Sequence, residues 1–193
     1  MRSVFGARAR PGSHPGEVLT LNTDTMRWQA HRPRYQSVSA AAGSFGGEGS
    51  AILSREGHAT ACLREKVYVF GGTSTATGTL LSDLCYLDLE SMQVGQHFPT
   101  TPSVPCPRRG ATLSSSELDA RWLLVFGGRD ADEHALNDVF VFELDKSSWF
   151  CPSIGGNLPR ARSGHQGRCR RPSRARGAAS HPLMGVGVWV WDQ

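Results

Sequence analysis

The chain has 193 residues, 39% of them hydrophobic, which is enough for one domain with a buried core. Its formal net charge of +4 comes from residues 160–176, which hold seven arginines and no acidic residue. The rest of the chain carries more acidic than basic residues, so its charge gives no reason to expect nucleic-acid binding.

The cysteines and the apolar segments indicate a protein of a reducing compartment. The five cysteines are an odd number without a Cys-x-x-Cys pair, so we expect reduced, structural thiols rather than disulfides or a metal site. No apolar run has the length of a secretion signal or of a membrane span. We therefore expect a cytoplasmic or nuclear protein without a membrane partner.

One pattern of residues occurs three times along the chain. Its apolar segments ending in Gly or Ala are Val4-Phe5-Gly6-Ala7, Val69-Phe70-Gly71-Gly72 and Val125-Phe126-Gly127-Gly128. An acidic residue follows each segment, and a bulky residue stands eleven positions later: Glu17 and Trp28, Asp83 and Val94, Asp138 and Trp149. A repeat of this length fixes the architecture, because one unit cannot bury its own apolar face and must stack on its copies.

A further motif opens a unit. It reads Arg55-Glu56-Gly57-His58, Arg108-Arg109-Gly110-Ala111 and Arg162-Ser163-Gly164-His165. Together the motifs predict four strands in each unit, named A to D here. Strand A follows the Arg-x-Gly motif, B ends in the glycine pair, C follows the acidic residue and D begins near the bulky residue. Strand B is apolar throughout, which is typical of a strand covered on both faces.

This combination of motifs resembles the kelch repeat. Leu81-Ser82-Asp83 and Leu136-Asn137-Asp138 resemble its Leu-Asn-Asp subclass, which occurs in Rab-effector, acyl-CoA-binding and host-cell-factor kelch proteins. The resemblance covers residues 4–165. It implies an all-β fold, a partial kelch β-propeller of about three four-stranded blades with a C-terminal tail outside the repeat. It also implies a module that recognises another protein, and we expect no cofactor.

The repeat divides the chain into blades. The boundaries are blade 1 with strands B to D at 1–35 and a loop at 36–54, blade 2 at 55–107, blade 3 at 108–161, and the start of blade 4 at 162–165. The tail at 166–193 has Pro172 among its arginines, a poor strand sequence, so we expect it to be disordered. The arginine-rich residues 160–176 have no interleaved aromatic residue on which nucleic-acid bases could stack, and we expect no nucleic-acid partner.

Three explanations fit an incomplete ring. The chain is a non-functional piece of a longer propeller, or it is half of a ring that two copies complete with the strand after Arg162 added to blade 1. Alternatively, residues 185–191, in which valine alternates with glycine or tryptophan, act as a substitute closing strand. Unclosed blades leave strand edges exposed, so the first two explanations predict self-association or aggregation.

Residues that recur at fixed repeat positions are expected to be structural. They are Gly71, Gly72, Gly127, Gly128, Asp83, Asp138, Trp28, Trp149, His58 and His165. The glycines should allow positive φ, the carboxylates should accept backbone N–H groups of the B–C loop, and the histidines should bond a neighbouring strand. The tryptophans should pack on the next blade. Because Val94 replaces tryptophan in blade 2, the boundary between blades 2 and 3 should be the looser one.

Variable loops connect B to C and D to the next A at one end of the propeller, while short turns lie at the other end. Variable loops on a rigid scaffold commonly carry binding function. We therefore expect a protein partner to contact residues on these loops: Arg129, Asp130, Asp132, Glu133 and His134 on the most charged loop, with Thr73, Thr75 and Thr77 opposite.

Two enzymatic alternatives stay open. Some kelch propellers are copper radical oxidases or iron-dependent specifier proteins, and residues 130–134 are the nearest approach to a cluster of metal ligands. Acidic loops are more often solvated turns, and the sequence has no nucleophile elbow or phosphate-binding loop. We expect a binding module without enzymatic activity.

Overall fold

The computed structural model describes residues 2–4, 17–35, 54–115, 120–170 and 187–191. Every regular element in these residues is a β-strand, and none of them is a helix that could cross a membrane. The strands are β1 (Arg2–Val4), β2 (Val18–Asn22), β3 (Arg27–His31), β4 (Arg34–Tyr35), β5 (Arg55–Glu56), β6 (Ala59–Leu63), β7 (Lys66–Ser74), β8 (Leu80–Asp88), β9 (Gln93–His97), β10 (Thr112–Ser115), β11 (Trp122–Arg129), β12 (Ala135–Glu143), β13 (Ser148–Phe150), β14 (Gln166–Arg170) and β15 (Gly187–Trp191). The loop at 5–16 and most of the segment at 36–54 lie outside the described residues.

The strands form antiparallel sheets that correspond to the blades. Blade 2 has the order β6-β7-β8-β9, and blade 3 has the order β10-β11-β12-β13. In blade 1 the described strands are B, C and D, which pair in the order β1-β2-β3. The predicted all-β partial propeller is therefore confirmed.

A short extended segment crosses from one blade to the outer edge of the next. After β3, β4 pairs in parallel with β9, and the Arg34 N–H donates to the Met92 carbonyl at 2.7 Å. After β9, the Thr100 N–H makes the equivalent bond to the Ser147 carbonyl of blade 3 at 2.9 Å. Each of these crossings covers strand D of the following blade, which would otherwise be an exposed sheet edge.

The glycine pair produces a β-bulge between strands B and C. The pairing of β11 with β12 shifts register between Phe126 and Gly128, and the intervening Gly127 has φ +63°. A Cβ at Gly127 would lie 2.7 Å from the Arg162 carbonyl oxygen. Gly127 therefore needs both a left-handed conformation and the absence of a side chain, and Gly71 repeats this geometry in blade 2.

The largest apolar cluster lies between blades 2 and 3. Trp149 is 2% exposed, and its ring centroid lies 5.4 Å from that of Phe70 in blade 2 and 4.8 Å from that of Phe142. The cluster between blades 1 and 2 is smaller and consists of Val18, Val69, Leu87 and Val94. The prediction that the boundary between blades 2 and 3 is looser is wrong. The bulky residue of strand D packs against the preceding blade. Val94 is smaller than the tryptophan at this position in the other units, so it reduces the contact of blade 2 with blade 1 and not the contact with blade 3.

Two paired strands lie in the C-terminal segment for which the sequence predicts disorder. β14 pairs with β15 in antiparallel fashion, with Gln166 opposite Trp191. Thr112 stands opposite Phe126 at the same position of blade 3. β15 therefore takes the place of strand B in a fourth blade. The sequence between these strands, at 171–186, lies outside the described residues.

A histidine in the cluster between blades 2 and 3 makes stability depend on pH. The His97 ring stacks on Tyr68 at 5.9 Å and contacts Phe142 at 5.3 Å. Burial, with a smaller effect of the Lys66 charge, lowers the pKa of His97. The unfolded state then binds a proton more readily than the folded state. The contribution of neutral His97 to stability is fully present above the unfolded pKa of about 6.5 and decreases as the pH falls toward the lower folded pKa.

We expect the free energy of unfolding to decrease between about pH 7.5 and pH 5.5, a range that brackets the ordinary histidine pKa. His97→Phe should make this decrease smaller, because the aromatic contacts stay and the titrating group is lost. Urea unfolding at both pH values measures the effect. His134→Gln is the matched control on an exposed loop and should keep the wild-type dependence. An equal pH dependence in His97→Phe and wild type would refute the assignment.

Candidate protein-binding face

A buried arginine–aspartate pair ties strand A to strand C within each complete blade. In blade 3, Arg108 Nη1 and Nη2 donate to the two carboxylate oxygens of Asp138 at 2.5 and 2.8 Å. Nη1 also donates to the Gly127 carbonyl at 3.1 Å. In blade 2, Arg55 bonds both oxygens of Asp83 at 2.6 and 2.8 Å. Each arginine is 1% exposed, whereas the side chains of Asp83 and Asp138 are 21% and 34% exposed, so each pair joins a buried guanidinium to a partly exposed carboxylate.

The carboxylates thus bond a different group from the one that the sequence suggests. Asp83 and Asp138 accept from guanidinium groups, whereas the sequence analysis assigns them to backbone N–H groups of the B–C loop. Sequence reasoning gave the two arginines no role of their own. The signal for them is the arginine at the first position of all three Arg-x-Gly motifs.

The aspartates keep the buried guanidinium groups charged. Burial alone would lower the pKa of Arg55, but the hydrogen bonds and the charge of Asp83 outweigh it, and the pKa is raised. The same causes raise the pKa of Arg108 beside Asp138. Burial also raises the pKa of the adjacent Cys85 thiol well above its usual range. Cys85 is therefore a protonated thiol that packs in the core rather than a reactive thiolate.

Backbone hydrogen bonds join the loop ends of neighbouring blades. The Gly110 N–H donates to the Gly57 carbonyl at 2.7 Å, and the Gly164 N–H donates to the Gly110 carbonyl at 2.8 Å. The Gly72 N–H adds a bond to the Arg108 carbonyl at 2.8 Å. These bonds run from blade 2 to the start of blade 4, so the loops at this end are fixed relative to one another.

The two repeat histidines lie in unequal surroundings. His165 Nε2 lies 3.4 Å from the Thr112 hydroxyl of blade 3, and its ring contacts Phe126 at 5.3 Å. His58 is half-buried, and burial, followed by the charge of Arg55, lowers its pKa. His165 thus contacts strand A of a neighbouring blade. The structural role of His58 and His165 stays a prediction.

The loop between β11 and β12 folds around Asp130. Its Oδ1 accepts the N–H groups of Asp132 at 3.0 Å and His134 at 2.9 Å. Arg129 Nη1 donates to the Glu133 carbonyl at 2.8 Å, and Glu133 has φ +64°. Two of the predicted contact residues, Arg129 and Asp130, therefore also hold the loop in shape, and this shape leaves the other three exposed.

Two arginines converge on one exposed carboxylate beside this loop. Arg109 Nη2 donates to Glu133 Oε1 at 2.6 Å, and Arg129 Nε lies 3.8 Å from Glu133 Oε2. The side chains are 45%, 40% and 57% exposed for Arg109, Arg129 and Glu133. Backbone bonds in both directions join the two arginines. We call Arg109, Arg129 and Glu133 the arginine cluster. Arg109 was not among the predicted contact residues, because its position in the Arg-x-Gly motif varies and holds Glu56 and Ser163 in the other copies.

The corresponding loop of blade 2 is rich in threonine. The Thr75 hydroxyl donates to the Ser54 carbonyl at 3.0 Å, and the Thr77 hydroxyl bonds a neighbouring threonine hydroxyl at 2.7 Å. Thr73 stands opposite Glu56 where β5 pairs with β7. This pairing is the blade 2 counterpart of the bonds between the two arginines in blade 3.

The structure brings the two predicted loops to the same end of neighbouring blades. Gly72, directly before Thr73, bonds Arg108, directly before Arg109. Arg109 therefore lies between the threonine loop at 73–79 and the charged loop at 129–135, which carries the other two residues of the arginine cluster. We call this surface the loop face. The short turns at 89–92 and 144–147 lie at the opposite end of blades 2 and 3.

Residues 130–134 are the part of the sequence nearest to a cluster of metal ligands. Within the part of the chain that the structure describes, no three or more histidine, cysteine, aspartate or glutamate side chains are grouped so that they could hold a metal ion. Asp130 bonds the N–H groups of its own loop, and Glu133 bonds Arg109. These two carboxylates are engaged in protein contacts.

The repeated blades, their glycine bulges and the arginine-linked strands define a propeller of the kelch type. The KLHDC2/KLHL20/DRC7 Kelch-repeats domain matches residues 57–169, which is more than half of the chain. The chain therefore belongs to the kelch-repeat family.

Several curated proteins are similar to this chain over the repeat. Dynein regulatory complex subunit 7 of Chlamydomonas reinhardtii is 32% identical over 108 residues, which are 56% of this chain and 9% of that protein. Kelch domain-containing protein 3 of Homo sapiens is 29% identical over 58% of this chain and 31% of its own length. Host cell factor of Drosophila melanogaster is 25% identical over 84% of this chain and 11% of its own length. The chain thus spans less than a third of each of these relatives.

Proposed function

We propose that the chain is a protein-binding module whose partner docks on the loop face. Kelch domains generally mediate protein–protein interaction, and the variable loops of a rigid scaffold are the usual place for such contacts. The observation that carries the proposal is the arginine cluster, in which exposed charged side chains are attached to a backbone fixed by hydrogen bonds between blades. The proposal assigns no reaction to the chain.

The geometry of the cluster supports a recognition role. Arg109 and Arg129 are tied to each other through the backbone and to Glu133 through their side chains, so little conformational entropy remains to be lost on binding. Arginine is enriched in protein interfaces. The cluster has an excess of positive charge, and Asp132 adds an exposed carboxylate next to it. A partner surface with both an acidic and a basic group would complement this arrangement.

The threonine loop would form the second side of the contact. Thr75 and Thr77 are held by hydroxyl bonds within their own loop. Neutral hydroxyl groups beside the charged cluster can accept or donate hydrogen bonds to a partner without a large desolvation penalty. We place the module in the cytoplasm, where Cys62, Cys85, Cys106 and Cys151 would stay as thiols.

Reversing two charges on the loop face should abolish partner capture. In the variant Arg129→Glu with Asp132→Lys, the signs next to Glu133 are exchanged, so the partner meets like charges and binds at least about tenfold more weakly. Affinity purification with quantitative mass spectrometry identifies partners of the wild type. Binding of one such purified partner to both proteins then gives the ratio of affinities.

Arg121→Glu with Asp145→Lys is the matched control. These residues form a weak ion pair with a distance of 3.9 Å, and they are exposed at the opposite end of the same blade. The control should bind the partner like the wild type. Equal binding by the loop-face variant and the wild type would contradict the assignment of the loop face.

A further inference from the structure

In this fold, one continuous stretch of chain supplies both edges of the next blade. For blade 2, the stretch at 32–63 adds β4 to the outer strand β9 and β6 to the inner strand β7. For blade 3, the stretch at 98–115 places Thr100 beside the outer strand and adds β10 to the inner strand β11. Each blade thus depends on the segment that follows strand D of its predecessor.

The stretch at 151–170 is the third copy of this element. Gly155 stands six residues after Trp149, as Arg34 does after Trp28 and Thr100 does after Val94. Apolar residues near Gly155 are open to solvent, since Ile154 is 44% exposed and Leu158 is 49% exposed. The same stretch continues through Arg162 into β14, which has the position of strand A.

Blade 1 lacks these two additions among the residues that the structure describes. Its sheet has the order β1-β2-β3, so no described strand lies beside β1 on the inner edge or β3 on the outer edge. Among the described residues, the face of blade 1 that points away from blade 2 is partly open to solvent. Trp28 is 55% exposed and Leu19 is 37% exposed. The equivalent residues of blade 3 pack against blade 2, where Trp149 is 2% exposed.

We propose that the stretch at 151–170 of one copy docks on blade 1 of a second copy, and that two copies exchange these stretches reciprocally. The repeat register specifies the contacts. The Gly155 N–H would donate to the Met26 carbonyl, which stands two residues before Trp28, as Met92 stands two before Val94 and Ser147 two before Trp149. β14 would pair with β1 of the second copy.

Two side-chain contacts follow from the same register. Arg162 of one copy reaches Glu17 of the other, since these residues hold the positions of Arg55 and Asp83. Trp28 packs on Phe126 of the other copy, as Trp149 packs on Phe70. The docking stretch at 151–170 and the open edges of blade 1 belong to the same chain and share one repeat register. A second copy of this chain is therefore favoured over an unrelated partner as the occupant of blade 1.

β15 competes with the second copy for β14. In this structure β15 occupies the place of strand B beside β14, and β1 of a second copy would take that place. The exchange therefore releases β15. Val190→Pro removes an N–H in the middle of β15, opposite Gly167, and should weaken this competitor.

The test is the molar mass of the full chain, measured by sedimentation equilibrium over a hundredfold range of concentration. We expect a species of about twice the 20.9 kDa of one chain, with a larger dimer fraction in Val190→Pro. Gly155→Pro removes the donor from both copies and should lower the dimer association constant at least about tenfold, because the reciprocal dimer loses two interface hydrogen bonds with their strand geometry. Gly155→Ala keeps the N–H and should associate like the wild type.

A second pair of variants tests the apolar contact. Trp28→Glu should also lower dimer association, whereas Val104→Glu, which introduces the same charge at a residue 42% exposed outside blade 1, should not. Circular dichroism checks that each variant keeps its β-structure. A monomer at every concentration would overturn the proposal, as would an open series of larger oligomers or equal association of Gly155→Pro and Gly155→Ala.

Discussion

Arg108→Ala should lower the free energy of unfolding by about 3 kcal/mol, the lower end of the range for removing one partner of a buried ion pair, because the Asp138 side chain is 34% exposed. The guanidinium is 1% exposed and bonds both oxygens of Asp138 and the Gly127 carbonyl. Without it, the carboxylate and the carbonyl lose their donor, and a cavity opens where strand A meets strand C. Urea unfolding monitored by tryptophan fluorescence measures the change.

Two further variants separate the ion pair from the loss of side-chain volume. Arg108→Met with Asp138→Leu removes both charges, so it should recover most of the stability that Arg108→Ala loses. Arg109→Ala removes the adjacent arginine, which is 45% exposed and pairs with Glu133 at the surface, and it should cost less than about 1 kcal/mol. If Arg108→Ala were no more destabilising than Arg109→Ala, the pair would not hold the blade together.

Trp149→Ala should also destabilise the protein by about 3–5 kcal/mol, as expected for truncation of a large aromatic side chain in a packed core. Trp149 contacts Phe70 of blade 2 and both Phe140 and Phe142 of its own blade. Its loss leaves a cavity between two blades that these rings cannot fill. The same urea experiment gives the value.

Trp28→Ala is the matched control, because it removes the same residue type at the same repeat position. Trp28 is 55% exposed, so its truncation should cost less than about 1 kcal/mol at protein concentrations that keep the chain monomeric. Equal losses for the two tryptophans would mean that the face of blade 1 is as well covered as the boundary between blades 2 and 3.

The strand order could be predicted from the sequence because its signals are local. Val125 to Gly128 combine an apolar run with a glycine pair, which indicates a buried strand and the bulge that ends it. Repetition of this segment then specified stacked sheets. The direction in which Trp149 points was not available from spacing alone, since alternate positions of a strand face opposite neighbours. For this reason the looser boundary was assigned to the wrong side of blade 2.

The arginine pairs and the arginine cluster were harder to predict for two different physical reasons. Arg108 and Asp138 are far apart in sequence, and no periodicity connects an arginine at the start of a unit to an aspartate within strand C. Arg109 stands at a position without a repeated residue type, so its role depends on where the β11–β12 loop places Glu133. The crossings at Arg34 and Thr100 use backbone groups, which leave little trace in the choice of side chains.

The crossing segments have a consequence for how such genes gain and lose repeats. The outermost strand of each sheet belongs, in sequence, to the preceding unit, as β4 does when it lies on β9. A duplication or excision that starts and stops at equivalent codons keeps every sheet complete, wherever within the unit it begins. If one sheet were transplanted with junctions just before its strand A and just after its strand D, its outermost strand would be left behind, because that strand belongs to the preceding unit in sequence.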